Sequence, residues 1–223
     1  MSLLGEALVA IWHDVPREAR ADYFEWHNRE HMAERVAIPG FLRGRRYSAL
    51  DGAPEFCTLY ETHSLDVLTG PDYTARLNDP TLWTRRVAPQ LHGNVRSLCR
   101  VALTLGQGQG GIVMTWRYDV APGAEQVQRT LVEARLAELS RRPGIVGAHL
   151  CLADADASAV QTAEKKSRPH RALTPNWVLL VEGGGERAML EAAGAELLPT
   201  ALLAGASAVG PVTGLYQLQF QAA

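Results

Sequence analysis

The chain has 223 residues, 47% of them apolar, with 22 basic and 24 acidic side chains and a net charge of −2. That apolar share allows a full core, while the balanced charge and lack of a long basic block exclude the electrostatic signature of a nucleic-acid or anionic-membrane partner. Residues 1–10 carry Glu6 and no basic start, and no run approaches a membrane span, so a cytoplasmic protein is expected.

Residues 8–15 read as a first strand. Pro16 followed by Arg17-Glu18 then opens a helix, because proline suits a first helical turn and an acid there suits the dipole. Pro39-Gly40 stops that helix near Val36, and residues 41–50 form a second strand closed by the turn pair Asp51-Gly52. Residues 56–61 make the third strand. Residues 66–91 hold helical stretches broken at Pro71, Pro80 and Pro89, and residues 95–105 the fourth strand. The same order, βαββαβ, follows again: strands over 112–120, 147–152, 177–182 and 213–220, with helices over 124–141 and 186–203, the latter interrupted at Pro199. This is the split βαβ, ferredoxin-like arrangement.

Three landmarks recur in order, which points to an internal duplication. Trp12 and Trp116 each lead into a helix. Pro39-Gly40 and Pro143-Gly144 each lead into a strand, and an apolar run ends in Glu61 and again in Glu182. The expected division is a first repeat over 1–105, a Gly-rich linker over 106–111 and a second, degenerate repeat over 112–223. The linker resembles a phosphate loop in composition, yet it joins strand to strand without the helix N-terminus such a loop needs. Residues 153–176 are long and polar, contain the only lysines, Lys165 and Lys166, with Pro169 and Pro175, and read as an excursion or a pocket lid. Cys57, Cys99 and Cys151, odd in number and far apart in apolar runs, read as buried reduced thiols.

The polar chemistry sits in the first repeat. Trp26-His27-Asn28-Arg29-Glu30-His31 has no counterpart in Thr130-Leu131-Val132-Glu133-Ala134-Arg135. His27 and His31, four apart, share one helical face. Three readings follow: a zinc pair with Glu30 as base, for which no third ligand is specified; a cavity site with a histidine as general base; or packing, with His27 as the local ion-pair partner of Glu30. On the second strand Arg43, Arg45 and Tyr47 share one face, and Leu42, Gly44, Arg46 and Ser48 the other. Arg45 or Arg46 can hold a substrate anion or pair with Glu61. Tyr60 and Glu61 line a cavity or finish a strand edge. His13, His63, His92, His149 and His170 are scattered and receive no role.

The βαββαβ repeat, the Trp-His-x-x-Glu-His helix, the Pro39-Gly40-Phe41 turn and the Leu59-Tyr60-Glu61 strand end resemble the dimeric α+β barrel superfamily, in particular its EthD-like branch. The architectural resemblance covers almost the whole chain and the motif match about 22–61. It implies two ferredoxin-like units pairing their sheets into a barrel with helices outside, here as a pseudo-dimer within one chain, with further homodimerisation open. Relatives include monooxygenases, isomerases, polyketide cyclases, haem enzymes and groups without known activity, so the resemblance speaks for fold more than function. The expectation is an α+β protein with a small-molecule ligand and no metal or cofactor, doing proton-transfer chemistry on a small aromatic or carbonyl compound. His31 or His27 serves as base, Arg46 or Tyr47 stabilises developing negative charge, and Trp26, Glu30, Tyr60 and Glu61 bind substrate. A non-catalytic binding or stress-response protein and a haem-binding barrel are the rivals.

Overall fold

The computed structural model describes residues 2–167, 173–204 and 210–223; Pro169 and His170 lie outside the described residues. The first half runs β1 (Ala7–Asp14), a helical stretch over 17–36, β2 (Phe41–Gly52), β3 (Phe56–Thr62), and β4 (His92–Gly106). Its helical stretch comprises a 3-10 turn (Arg17–Ala19), α1 (Arg20–Trp26), a π-helical segment (His27–His31) and α2 (Met32–Val36). Between β3 and β4 come α3 (Leu65–Thr69), α4 (Pro71–Asn78) and α5 (Leu82–Val87), with proline opening α4 and flanking α5 as expected. The second half runs β5 (Ile112–Tyr118), α6 (Glu125–Leu139), β6 (Ile145–Ala153), α7 (Ala155–Ala159), α8 (Ala163–Lys166), β7 (Trp177–Gly183), α9 (Arg187–Leu197), α10 (Thr200–Ala204) and β8 (Val212–Ala222).

Alternation in the strands sets the architecture. β1 sends Leu8, Ala10 and Trp12 to one face and Ala7 and Val9 to the other, both apolar, and β3 and β7 are buried along their whole length. Such strands need cover on both sides. The eight strands close into an antiparallel barrel in the order β1-β3-β2-β8-β5-β7-β6-β4. Trp12, Tyr47, Leu59, Leu180, Tyr216 and the three cysteines fill its interior, and the helices cover its outside. Each half keeps one strand order, β4-β1-β3-β2 and β8-β5-β7-β6, and the halves meet at two seams, β2 with β8 and β4 with β6.

Pairing corrects one landmark of the repeat. Leu8 faces Glu61 and Val113 faces Glu182, so β1 and β5 correspond at 113 − 8 = 105, whereas Phe41 opposite Thr62 and Ile145 opposite Gly183 put β2 and β6 at 145 − 41 = 104. Trp12 therefore matches Arg117, and Trp116 matches Ile11. Because one residue of slip turns a side chain to the opposite face, Trp12 lies inside the barrel and Trp116 under the outer helices. The linker runs strand to strand. At Gly110 a Cβ would come within 2.3 Å of the Gly183 carbonyl oxygen, so that close approach requires glycine.

The described part of the polar stretch after β6 packs down as α7 and α8 against the first half. Arg35 and Glu164 form a buried ion pair there, and the Leu98 amide donates to Ser158 Oγ at 3.0 Å. No helix among the described residues is long and apolar enough to cross a membrane.

Candidate functional site

The helical stretch of the first half lies on the outer face of β1, β2 and β3. Its π-helical segment covers His27–His31. In an α-helix residues five apart point in different directions, but an i→i+5 ladder stacks them in one column. Trp26 and His31 accordingly lie ring on ring, 4.2 Å between centroids and 33° between planes, and His27 stands 5.5 Å from His31. Wide turns of this kind concentrate at functional sites.

Beneath these rings is a gap of about 10 Å³ lined by Ile11, His13, Trp26, His27, His31, Thr58, Tyr60 and Leu91. That is room for one water, so a larger ligand enters only if the π-helical segment or Leu91 shifts. His13 Nε2 and the Tyr23 hydroxyl are hydrogen-bonded at 3.0 Å, and Trp26 Nε1 donates to Thr84 Oγ1 at 3.1 Å. Arg46 extends from β2 along the same face, its guanidinium 4.9 Å from the Phe24 ring centre, 5.6 Å from Tyr23 and 5.7 Å from Phe220. Among the described residues four buried polar atoms of this layer have no hydrogen-bond partner: His27 Nδ1, Thr58 Oγ1, Tyr60 Oη and Arg46 Nη1. Native interiors rarely leave so many donors and acceptors unmet in one place.

Burial holds the His27 pKa well below the ordinary histidine value, and the charges of His31, Arg46, His13 and Arg35 add to the effect. His27 is therefore a neutral imidazole with one acceptor nitrogen at neutral pH. Burial likewise raises the Tyr60 phenol, which stays a donor. The arrangement offers a base, a neutral donor and a buried cation on an apolar floor. Among the described residues, no group of three or more His, Cys, Asp or Glu side chains is placed to hold a metal ion.

The structure splits the sequence-predicted residues into three places. His27, His31, Trp26, Tyr60 and Arg46 come together under the helix. Tyr47 and Glu61 do not join them: both point into the barrel, Tyr47 among its apolar core and Glu61 in an ion cluster. Glu30 lies on the far side of the helix, where its carboxylate accepts from Thr81 Oγ1 at 2.5 Å, tying the helix to the start of α5 instead of pairing with His27. The residues missed are His13, Tyr23 and Thr58. Strand alternation could have found His13, two residues from Ile11 on the face that meets the helix.

The ion cluster closes one end of the barrel. Arg43 makes a bidentate contact with Glu61 at 2.8 and 2.9 Å. Arg45 binds Glu61 at 2.9 Å and Glu182, the equivalent acid of the second half, at 2.9 and 3.1 Å. His149, at the position equivalent to Arg45, approaches Glu182 at 3.5 Å and bonds Thr104 Oγ1 at 2.7 Å. Burial alone would raise the Glu182 carboxyl, but His149 and Arg45 override it and hold it at about 2.

No family model and no curated protein matches the sequence. Solved structures do match over the full chain. An anthrone oxidase-like protein superimposes with a TM-score of 0.67 at 14% identity, covering 97% of this chain and 92% of its own. A candidate monooxygenase from Fusobacterium nucleatum gives 0.58 at 9%, covering 98% and 95%, and a haem-binding protein from Thermus thermophilus gives 0.51 at 12%, covering 97% and 92%. At these identities the likeness is one of fold, and the fold is the ferredoxin-like dimeric-type α+β barrel, here closed within one chain.

Proposed function

We propose that the first half carries a small-molecule site under its π-helical segment and catalyses proton transfer on a small aromatic or carbonyl compound without a cofactor. His27 takes a proton from a carbon next to the carbonyl or conjugated with it through an aromatic ring. The electron pair moves onto the carbonyl oxygen, where Arg46 and the Tyr60 hydroxyl hold the enolate, and return of the proton to carbon completes the exchange. The observation that carries this reading is the coincidence of the π-helical segment with four unmet polar atoms around a neutral histidine. The anthrone in one neighbour's name belongs to this substrate class, aromatic ketones with an acidic C–H. On the same reading the second half is a degenerate copy, bearing Gly147 and His149 where the first has Arg43 and Arg45, and the chain descends from a tandem duplication.

The test is solvent deuterium incorporation into a panel of aromatic ketones, followed by proton NMR. Wild-type protein exchanges at least one member above the buffer rate, and His27→Gln loses about two orders of magnitude or more of that rate. Equal exchange by wild type and His27→Gln for every member sinks the proposal, and saturable binding without exchange replaces it with a non-catalytic binding role. Haem would need a far larger opening of this layer than an aromatic ketone does, the gap being about 10 Å³ beside rings in mutual contact, and no step runs through iron.

A further inference from the structure

The polar stretch after β6 is longer than its place in the fold requires. In the first half β2 ends at Gly52 and β3 begins at Phe56; in the second, β6 ends at Ala153 and β7 begins only at Trp177. The described part of this insertion crosses to the other half. Besides the Arg35–Glu164 pair and the Leu98–Ser158 bond, the Ala163 amide donates to Asn78 Oδ1 at the end of α4, at 3.0 Å.

Between α4, β4 and the insertion lies a cavity of about 40 Å³. Its apolar wall includes Leu68, Leu77, Leu98 and Val160, and each side adds one cation: Arg96 from β4 and Lys165 from α8. No carboxylate lines it among the described residues. Lys165 is fixed at the rim, its ammonium donating to the carbonyls of Ser158 and Val160 at 2.8 and 2.5 Å. Arg96 is only 6% exposed. Among the described residues its guanidinium makes one hydrogen bond, to the Tyr73 hydroxyl at 3.0 Å, and no ion pair. A guanidinium has five N–H donors in a planar fork, and a buried charge without a counter-ion is costly. A planar anion in the cavity meets that need, because two carboxylate oxygens match the fork. The volume has room for about three waters, the size of a carboxylate with one or two further carbons, and the leucines and Val160 suit an alkyl end.

We propose that this cavity is a second, separate binding site, taking a two- or three-carbon aliphatic carboxylate on Arg96 and Lys165. Lys165, whose pairing with Lys166 reads in the sequence as compositional bias, then has a function, and the insertion is the element that builds the site across the two halves.

Titration calorimetry with propionate tests it, with n-propylammonium and inorganic phosphate as parallel probes. The expected result is saturable binding of one propionate per chain. Affinity falls roughly tenfold or more in Arg96→Met and measurably in Lys165→Met, and it is retained in His27→Gln, which keeps this site's fate distinct from that of the histidine pocket. Absence of saturation overturns the proposal. So does unchanged affinity in both variants, and so does phosphate or n-propylammonium binding as tightly as propionate. If Arg96→Met fails to fold, Lys165→Met, altered at the partly exposed rim, decides alone, and an unchanged affinity there is a refutation.

Discussion

His27 differs from an ordinary core histidine in what its burial implies for acid stability. Its folded-state pKa lies well below 6.5, while in the unfolded chain a histidine titrates near 6.5. Below about pH 6.5 the unfolded state takes up a proton that the folded state refuses, so stability is full above that pH and falls as the pH drops through it. Wild-type protein should lose up to about 1.4 kcal/mol per pH unit from this source as the pH falls below about 6.5, and His27→Gln should flatten that part of the curve. Denaturant melts across the range check this; parallel slopes for both proteins would mean that His27 is protonated when folded. His31→Asn is the companion change. The Trp26 stack makes it costlier than a surface substitution, on the order of 1 to 2 kcal/mol, measurable as a fall in midpoint, while ligand binding weakens if the pocket reading holds. The sequence carried the pairing of His27 with His31, because helical spacing fixes it locally. It also carried the parity of the second strand, by which Arg46 and Tyr47 face opposite ways. Naming both as one catalytic set conflicted with that parity, and the structure separates them across the sheet.

At the scale of elements, the π-helical segment aligns two half-helices. Tyr23, Trp26 and His27 on one side and His31, Met32 and Arg35 on the other are all buried against the sheet, and the wide turn takes up one extra residue with both sets facing inward. Deleting Asn28 restores α spacing and, because the wide turn holds one extra residue, leaves both sets facing the sheet. The deletion should leave helix content by circular dichroism nearly unchanged and cost no more than about 2 kcal/mol of stability, since neither buried set turns outward. A midpoint lowered by much more than about ten degrees would show that the wide turn itself is needed for packing. This device was illegible in sequence: Trp-His-x-x-Glu-His satisfies an ordinary α-helix equally well, and only tertiary contact with the sheet selects the wider ladder. The insertion after β6 was visible as a long polar stretch, but its landing place was not, since its partners, Asn78, Leu98 and Arg35, lie far away in sequence.

For the whole molecule, the common strand order of the two halves, β4-β1-β3-β2 and β8-β5-β7-β6, was legible because turn glycines, prolines and apolar runs recur in the same order along each half. What pattern could not give was which strand faces meet inside the barrel, and hence that Glu61 and Glu182 converge on one arginine. That convergence makes a testable statement about how the halves hold together. Arg45 is fully buried and binds an acid from each half. Removing it leaves Glu61 with Arg43 and leaves Glu182 with His149 and the Gly110 amide, so neither acid is stripped bare, yet the charge that joins the halves is gone. Losing one partner of a buried ion pair typically costs about 3 to 5 kcal/mol. In a chain of this size that lowers the thermal midpoint on the order of ten degrees. Arg45→Met should show this drop, and Arg45→Met with Glu182→Gln should recover part of it, since the second change removes a buried carboxylate that keeps hydrogen-bond donors but has lost its arginine cation. The acid limb supplies an independent reading. Glu182, held at about 2 when folded, contributes stability that is present above about pH 4.3, the unfolded glutamate value, and is lost as the pH falls toward 2. In Arg45→Met its carboxyl rises toward the ordinary range, and that loss shrinks. A midpoint within about two degrees of wild type, with an unchanged acid limb, would mean that the barrel closes on apolar packing alone and that the shared arginine contributes nothing to joining its halves.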